Sequence, residues 1–350
     1  GSGVDPYHSY SRDGKAHNGI KINGKSENVD IPAEGIAAYL IDPGLDYAEA
    51  VVAAPFAPYG SLNRTLLFIK PDEGHPGYAI LADDVATASS SYPIDWYLHG
   101  LSKDLTLSGQ DARWKTASWI DGEPVFIQAH FATPTVQLNA EEALDMNGNP
   151  FEEFSQGPPD GRETKFLRAT PLTTGSNRFL TVLYPWSASQ EAPSFADDTA
   201  NGAVVVNDSD IVFSQAASIT RTVYGVTSDA RLVFVRNEGD WIDSYFVKSG
   251  KQLLTRNDTV GFQSNRYVDL ILHKLAGSVL TYEADTQLTI YHPTINGSFE
   301  VKVDGKSVDA TAVSGRIDFT IEQAGRHQVE LIPLAAPVLT PDATDNIVGQ

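Results

Sequence analysis

The feature that most constrains this chain is the succession of short β-type runs that fills it from residue 65 to residue 334. "TLLFI" (65–69), "YAILADDV" (78–85), "DWYLHGL" (95–101), "VFIQAHF" (125–131) and "RFLTVLY" (178–184) open the series, and runs such as "YVDLILHKL" (267–275) and "HQVELIPL" (327–334) close it. Each is rich in β-branched and aromatic residues, and turn residues separate them at short, fairly regular intervals. That spacing predicts an antiparallel sandwich, since parallel βαβ units need helical stretches between strands. Asn-Gly, the strongest short hairpin signal, falls at 18–19, 23–24, 147–148, 201–202 and 296–297. No fixed period repeats, which argues against a propeller or β-helix.

One short helix is predicted over "NAEEALDM" (139–146), with Asn139 as its N-cap. Residues 150–177, dense in Pro, Gly and charge, read as a long excursion between strands. A softer break falls near 285–296, after which strands are shorter and alternate more strictly. The fold expected is therefore all-β: a large antiparallel two-layer β-sandwich over residues 4–285, then a small terminal β-sheet over 286–340, with the tail from Ala335 frayed.

Of the 350 residues 41% are hydrophobic, enough for a sizeable core, and no stretch approaches the length of a transmembrane helix. Cysteine is absent, which removes disulfides, thiolate catalysis and zinc–thiolate sites together. The formal charge of −20 repels nucleic acid and argues against such a partner. A polyanionic substrate would require basic residues gathered locally against that field.

The richest polar segment is "YHSYSRDGKAHNGIKINGK" (7–25). His17 stands at the mouth of the alternating strand Ile20-Lys21-Ile22, in a segment holding Tyr7, His8, Tyr10, Arg12 and Lys15. Aromatic and cationic groups together suit a sugar or carboxylate ligand, so function is favoured for His17. His130 and His273, in apolar strands, read as core residues with satisfied hydrogen bonds; His99 in "DWYLHGL" fits either role. A metal site from His17, Asp46 and His99 is conceivable, because zinc accepts two imidazoles and an oxygen, although ligands on separate strands leave no spacing signal. "DMNGNPFEEF" (145–154) has the alternation of a calcium loop but carries Pro150 where the EF-hand turn needs glycine, and reads as a turn. No phosphate loop, G-x-S-x-G elbow or H-E-x-x-H occurs.

Several of these segments, in order, resemble one family. "HNGIKINGK" resembles the "HN-x-V-x-V-D-G-K" segment that opens the β-sandwich of heparinase II/III-like polysaccharide lyases, a group that includes alginate, ulvan and heparin lyase types. "GLDYAEAVVAAPF", "LNRTLLFIKPDEGHPGYAILADDV", "YPIDWYLHG" and "FLTVLYPW" are similar to its later strands, and together these cover residues 7 to about 186. The resemblance implies β-elimination on a uronic-acid polysaccharide: the C6 carboxylate is neutralised, a base takes the C5 proton, and an acid protonates the leaving oxygen. It implies that His17 reaches the active site; the polar segment around it offers Tyr10 as a catalytic partner should the chain act alone, and Tyr7, Arg12, Lys15 and Asn18 as substrate contacts. It also implies that His17, Asp46 and His99 match positions holding a structural Zn²⁺ or other divalent cation in some members. In that family the catalytic tyrosine and an Asn-His pair come from a helical toroid upstream, which nothing here matches. The expectation is the sandwich part of a secreted or periplasmic lyase, its partners an anionic polysaccharide and a toroid domain, with no nucleic acid or membrane. The alternatives are a stand-alone lyase using Tyr7 or Tyr10 with His17, and a non-catalytic carbohydrate-binding or structural module.

Overall fold

The computed structural model describes residues 17–28, 30–32, 35–71, 76–100, 102, 104–117, 122–142, 165–238, 241–255 and 260–334. Strands occupy 65% of them, and the short helical pieces at Ala54–Phe56 and Thr199–Asn201 are single 3₁₀ turns. Among the described residues every strand pairing is antiparallel, as the turn spacing predicted.

Twelve strands build the first two sheets: β1 (Ile20–Ile22), β2 (Gly35–Ile41), β3 (Leu45–Val52), β4 (Gly60–Ile69), β5 (Tyr78–Thr87), β6 (Ile94–His99), β7 (Leu105–Ser108), β8 (Asp111–Ala117), β9 (Pro124–Thr133), β10 (Val136–Glu142), β11 (Lys165–Pro171) and β12 (Asn177–Ser187). A four-stranded sheet runs β1-β6-β11-β10, and an eight-stranded sheet runs β2-β3-β4-β5-β12-β9-β8-β7. The strands from Phe195–Asp198 to Gly325–Pro333 form a third, larger sheet.

The eight-stranded sheet lies between the other two, and its central strands read that way. In β12, Phe179 joins a core with Trp96, Leu98 and Leu167 of the four-stranded sheet. Its neighbours Leu180, Val182, Tyr184 and Trp186 join another with Val204, Phe234 and Phe246 of the third sheet. A strand covered on both faces needs apolar residues at consecutive positions, which is why "RFLTVLYPW" is a continuous run rather than an alternation. The sandwich is therefore three sheets deep at this point.

Two local expectations fail. Asn139 and the residues after it through Glu142 belong to β10, paired Asn139↔Arg168 and Ala140↔Leu167, not to a helix; residues 143–164, including the calcium-like turn, lie outside the described residues. The gain from pairing with β11 outweighs the modest helix preference of Ala and Glu. The end of the supposed 150–177 excursion, Lys165–Pro171, is that partner strand β11, held between β6 and β10.

Within the third sheet the long strand Trp241–Leu254 bulges on either side of Gly250, next to Ser249 at φ 51°. Before the bulge Phe246 faces the eight-stranded sheet while Tyr245 and Val247 face a separate core, which Leu253 joins beyond it. That core mixes Val247 and Leu270 with Leu288, Ile290, Ile317 and Phe319 from beyond residue 285.

Candidate functional site

The strand that follows His17 ends in the turn the sequence suggests. Asn23 (φ 53°) and Gly24 (φ 70°) both take left-handed conformations, and Ile22 and Lys25 exchange N–H···O bonds of 2.9 and 3.0 Å across them. This is the geometry a two-residue Asn-Gly turn supplies. The ladder stops at Lys25, however, and β1 instead pairs with β6, Ile20↔Trp96 to Ile22↔Ile94. Ile20 and Ile22 are buried, Lys21 is half-buried, and His17 and Asn18 are exposed at the strand's mouth.

Three long-range bonds hold that mouth. The side-chain oxygen of Asn18 accepts the His99 backbone N–H at 2.8 Å. The Asn18 carbonyl accepts from Nη1 of Arg64 at 2.7 Å. The Gly19 carbonyl accepts the Tyr97 N–H at 2.9 Å. Arg64 is fixed in turn by a two-pronged pair with Asp83, Nε–Oδ1 and Nη2–Oδ2 both 2.7 Å, and Trp96 donates Nε1–H to the same carboxylate at 2.8 Å. Burial works against the Arg64 charge, but Asp83 outweighs it and the guanidinium is raised further above its ordinary value. Trp96 packs edge-on against Phe131, 5.2 Å between ring centres. Gly100, directly after His99, is required by close approach, because a Cβ there would lie 2.3 Å from the Trp114 ring.

The structure thus brings His17, Asn18 and the His99 backbone together, and adds Arg64, Asp83 and Trp96, which sequence reasoning did not single out. Asn18 was expected on substrate, and its side-chain oxygen is engaged with His99. Tyr7, Tyr10, Arg12 and Lys15 lie outside the described residues.

The metal trio is not assembled. Asp46 forms an ion pair with Lys70 at 2.8 Å and faces the Asp42 N–H. It sits four positions along β3 from Ala50, the residue paired with Arg64, which places it roughly 13 Å away along the strand. His99 alternates with Trp96 and Leu98 of the core, which puts its ring on the opposite, outer face of the four-stranded sheet, stacked on Phe166 at 5.0 Å. Among the described residues, no group of three or more His, Asp or Glu side chains converges to hold a metal ion.

His130 bears out the core reading: it is 5% exposed, with Nδ1 to Asp111 and Nε2 to Asp197 at 2.8 Å each. His273 is half-buried against Gly44.

The fold and site are those of an all-β, antiparallel sandwich that presents a histidine from a pinned strand end. No protein-family model and no curated protein matches the chain. Among solved structures it is similar to a mutant of the heparan sulfate lyase HepC from Pedobacter heparinus, at 15% identity and a TM-score of 0.42. The likeness covers 69% of this chain and 32% of that one, so the chain matches about a third of that protein's length. A likeness this distant decides neither activity nor substrate.

Proposed function

We propose that this chain is the β-sandwich part of a polysaccharide lyase that cleaves a uronic-acid polysaccharide by β-elimination, with His17 at the reacting sugar. The observation that carries the reading is the fixing of an exposed histidine turn by a half-buried ion pair. Arg64 and Asp83 hold the Asn18 carbonyl, and Asn18 holds the β6 backbone. Exposed turns are ordinarily left to solvent, whereas a group that must meet a substrate proton within hydrogen-bond reach is held by a rigid sheet. An imidazole changes charge near neutral pH, so it serves either to neutralise a C6 carboxylate or to move a proton. Elimination also needs a second acid or base, for which Tyr10, or a tyrosine from a toroid domain, is the candidate. No step is routed through a metal, since the donor set for one does not converge.

The test is His17→Ala in the full-length protein, followed by the rise in ultraviolet absorbance of the unsaturated uronyl product on alginate, ulvan and glycosaminoglycan. Turnover should fall by about 10²–10⁴-fold while the melting temperature stays within a degree or two, because His17 is exposed. A folded His17→Ala protein with near wild-type turnover on its best polymer would falsify the reading.

A further inference from the structure

A second polar site lies away from His17, in a groove of about 630 Å³ between the eight-stranded and the third sheet. Small-molecule sites commonly measure roughly 300–1,000 Å³. Arg178 and Arg221 line this groove, with Asp84 between the two sheets. Asp84 is already neutralised: one oxygen accepts from Nε of Arg178, and the other from Nη2 of Arg231 at 2.7 Å. Two guanidinium groups thus share one carboxylate, and a third, that of Arg221, lines the same groove, a local gathering of cations in a chain of charge −20. Burial, then the neighbouring Arg178, press Arg221 below its ordinary value, and Asp198 works in the opposite direction without cancelling them.

A separate observation points to a missing partner. Among the described residues seven buried side-chain polar atoms lack a hydrogen bond; three belong to residues lining this groove, Asn63 Oδ1, Gln215 Oε1 and Arg221 Nε, and a fourth, Arg231 Nε, to a partner of Asp84. Native proteins leave few such groups, so their concentration beside one groove marks a polar region whose hydrogen bonding the protein alone does not complete. The rest of the lining mixes hydroxyl and amide groups, including Ser61, Asn177, Thr199 and Asn201, with small apolar residues such as Val85 and Ala216, and no aromatic ring contributes. That excludes a base-stacking platform and favours a ligand made of hydroxyls and one or more oxyanions, for which the arginine fork is suited.

We infer that this groove binds an acidic saccharide, gripping its carboxylate or sulfate ester between Arg178 and Arg221. The site does not depend on His17, so it stands or falls separately from the lyase reading. The experiment is calorimetric titration of the intact chain with glucuronate, glucose 6-sulfate and glucose. At least one of the two anionic sugars should bind saturably and at least tenfold more tightly than glucose, and the tighter of them identifies the anion. Arg221→Gln should weaken that binding at least tenfold, and His17→Ala should leave it unchanged. Because Arg221 also donates to the Ser214 carbonyl at 3.0 Å, a second variant guards against misfolding: Ala200→Glu places a carboxylate on the exposed lip and should weaken binding by a similar factor. No saturable binding of either anion, binding no tighter than glucose, or unchanged affinity in a folded Ala200→Glu protein overturns the inference.

Discussion

Asp83 has no exposed surface and accepts three hydrogen bonds, two from Arg64 and one from Trp96. Desolvating such a pair offsets much of its attraction, so the pair adds little net stability, yet breaking it leaves a charge stranded beside the core. Asp83→Asn, nearly isosteric, should therefore destabilise the protein by about 3 kcal/mol, read as a lower urea midpoint with an unchanged slope. It should also speed hydrogen exchange at Gly19 and Tyr97, since the Arg64 anchor of the Asn18 carbonyl is lost. A variant with wild-type midpoint and exchange would show that the pair does not hold the turn. This network also marks how far single residues were legible. His17, Asn18 and the Asn-Gly turn are contiguous and could be read together. Their anchors come from 46 and 81 positions away, and the Arg64–Asp83 pair spans 19. Side chains that meet only after sheets stack leave no periodic trace, which is why Asp83 read as one more strand residue and Asp46 as a ligand.

Strands were legible where both faces or one face had a clear demand. The continuous run of β12 and the Ile-Lys-Ile alternation of β1 each match the burial they received. β10 was misread because "NAEEAL" has helix-forming residues and its partner β11 lies beyond residues 143–164. Between elements, His130 makes a link that its apolar surroundings did not reveal: it joins Asp111 of β8 to Asp197 of the third sheet and stacks on Phe195 at 4.1 Å. Burial alone would push the imidazole down, but the hydrogen bonds and charges of the two aspartates outweigh it and raise it to about 9. Protonated His130 then stabilises the fold. That contribution is complete below the ordinary value of 6.5 and is lost as pH rises through about 9. With both carboxylates about a third exposed, the loss should be on the order of 1–3 kcal/mol. Denaturant midpoints should fall between pH 6.5 and pH 9.5, and His130→Gln should flatten most of that fall. Parallel pH profiles for the two proteins would refute the assignment.

At the scale of the whole molecule the sequence suggested a boundary near residue 285, because strand length and alternation change there. The strand pairing runs across that position. Thr286–Tyr291 pairs with Gly261–His273, and Gly325–Pro333 pairs with Ala276–Thr281, so strands from both sides form one sheet. Neither pairing could be read from a local change of pattern, since each joins an element to one already passed. Leu288, Ile290, Ile317, Phe319, Val329 and Leu331 are all buried in the core that also holds Val247 and Leu270. Removing residues 286–334 would take those six side chains away, at about 1.5–3 kcal/mol each, or roughly 9–18 kcal/mol in all. Native domains have only about 5–15 kcal/mol in reserve. The shortened chain would also bare the edge of Ala276–Thr281, an invitation to aggregate. The intact chain should therefore melt in calorimetry as one transition, and the chain ending at Asp285 should be insoluble or show no cooperative melt. If the shortened chain were soluble and melted cooperatively near the wild-type temperature, the terminal strands would be a separate unit leaning on a self-sufficient sandwich.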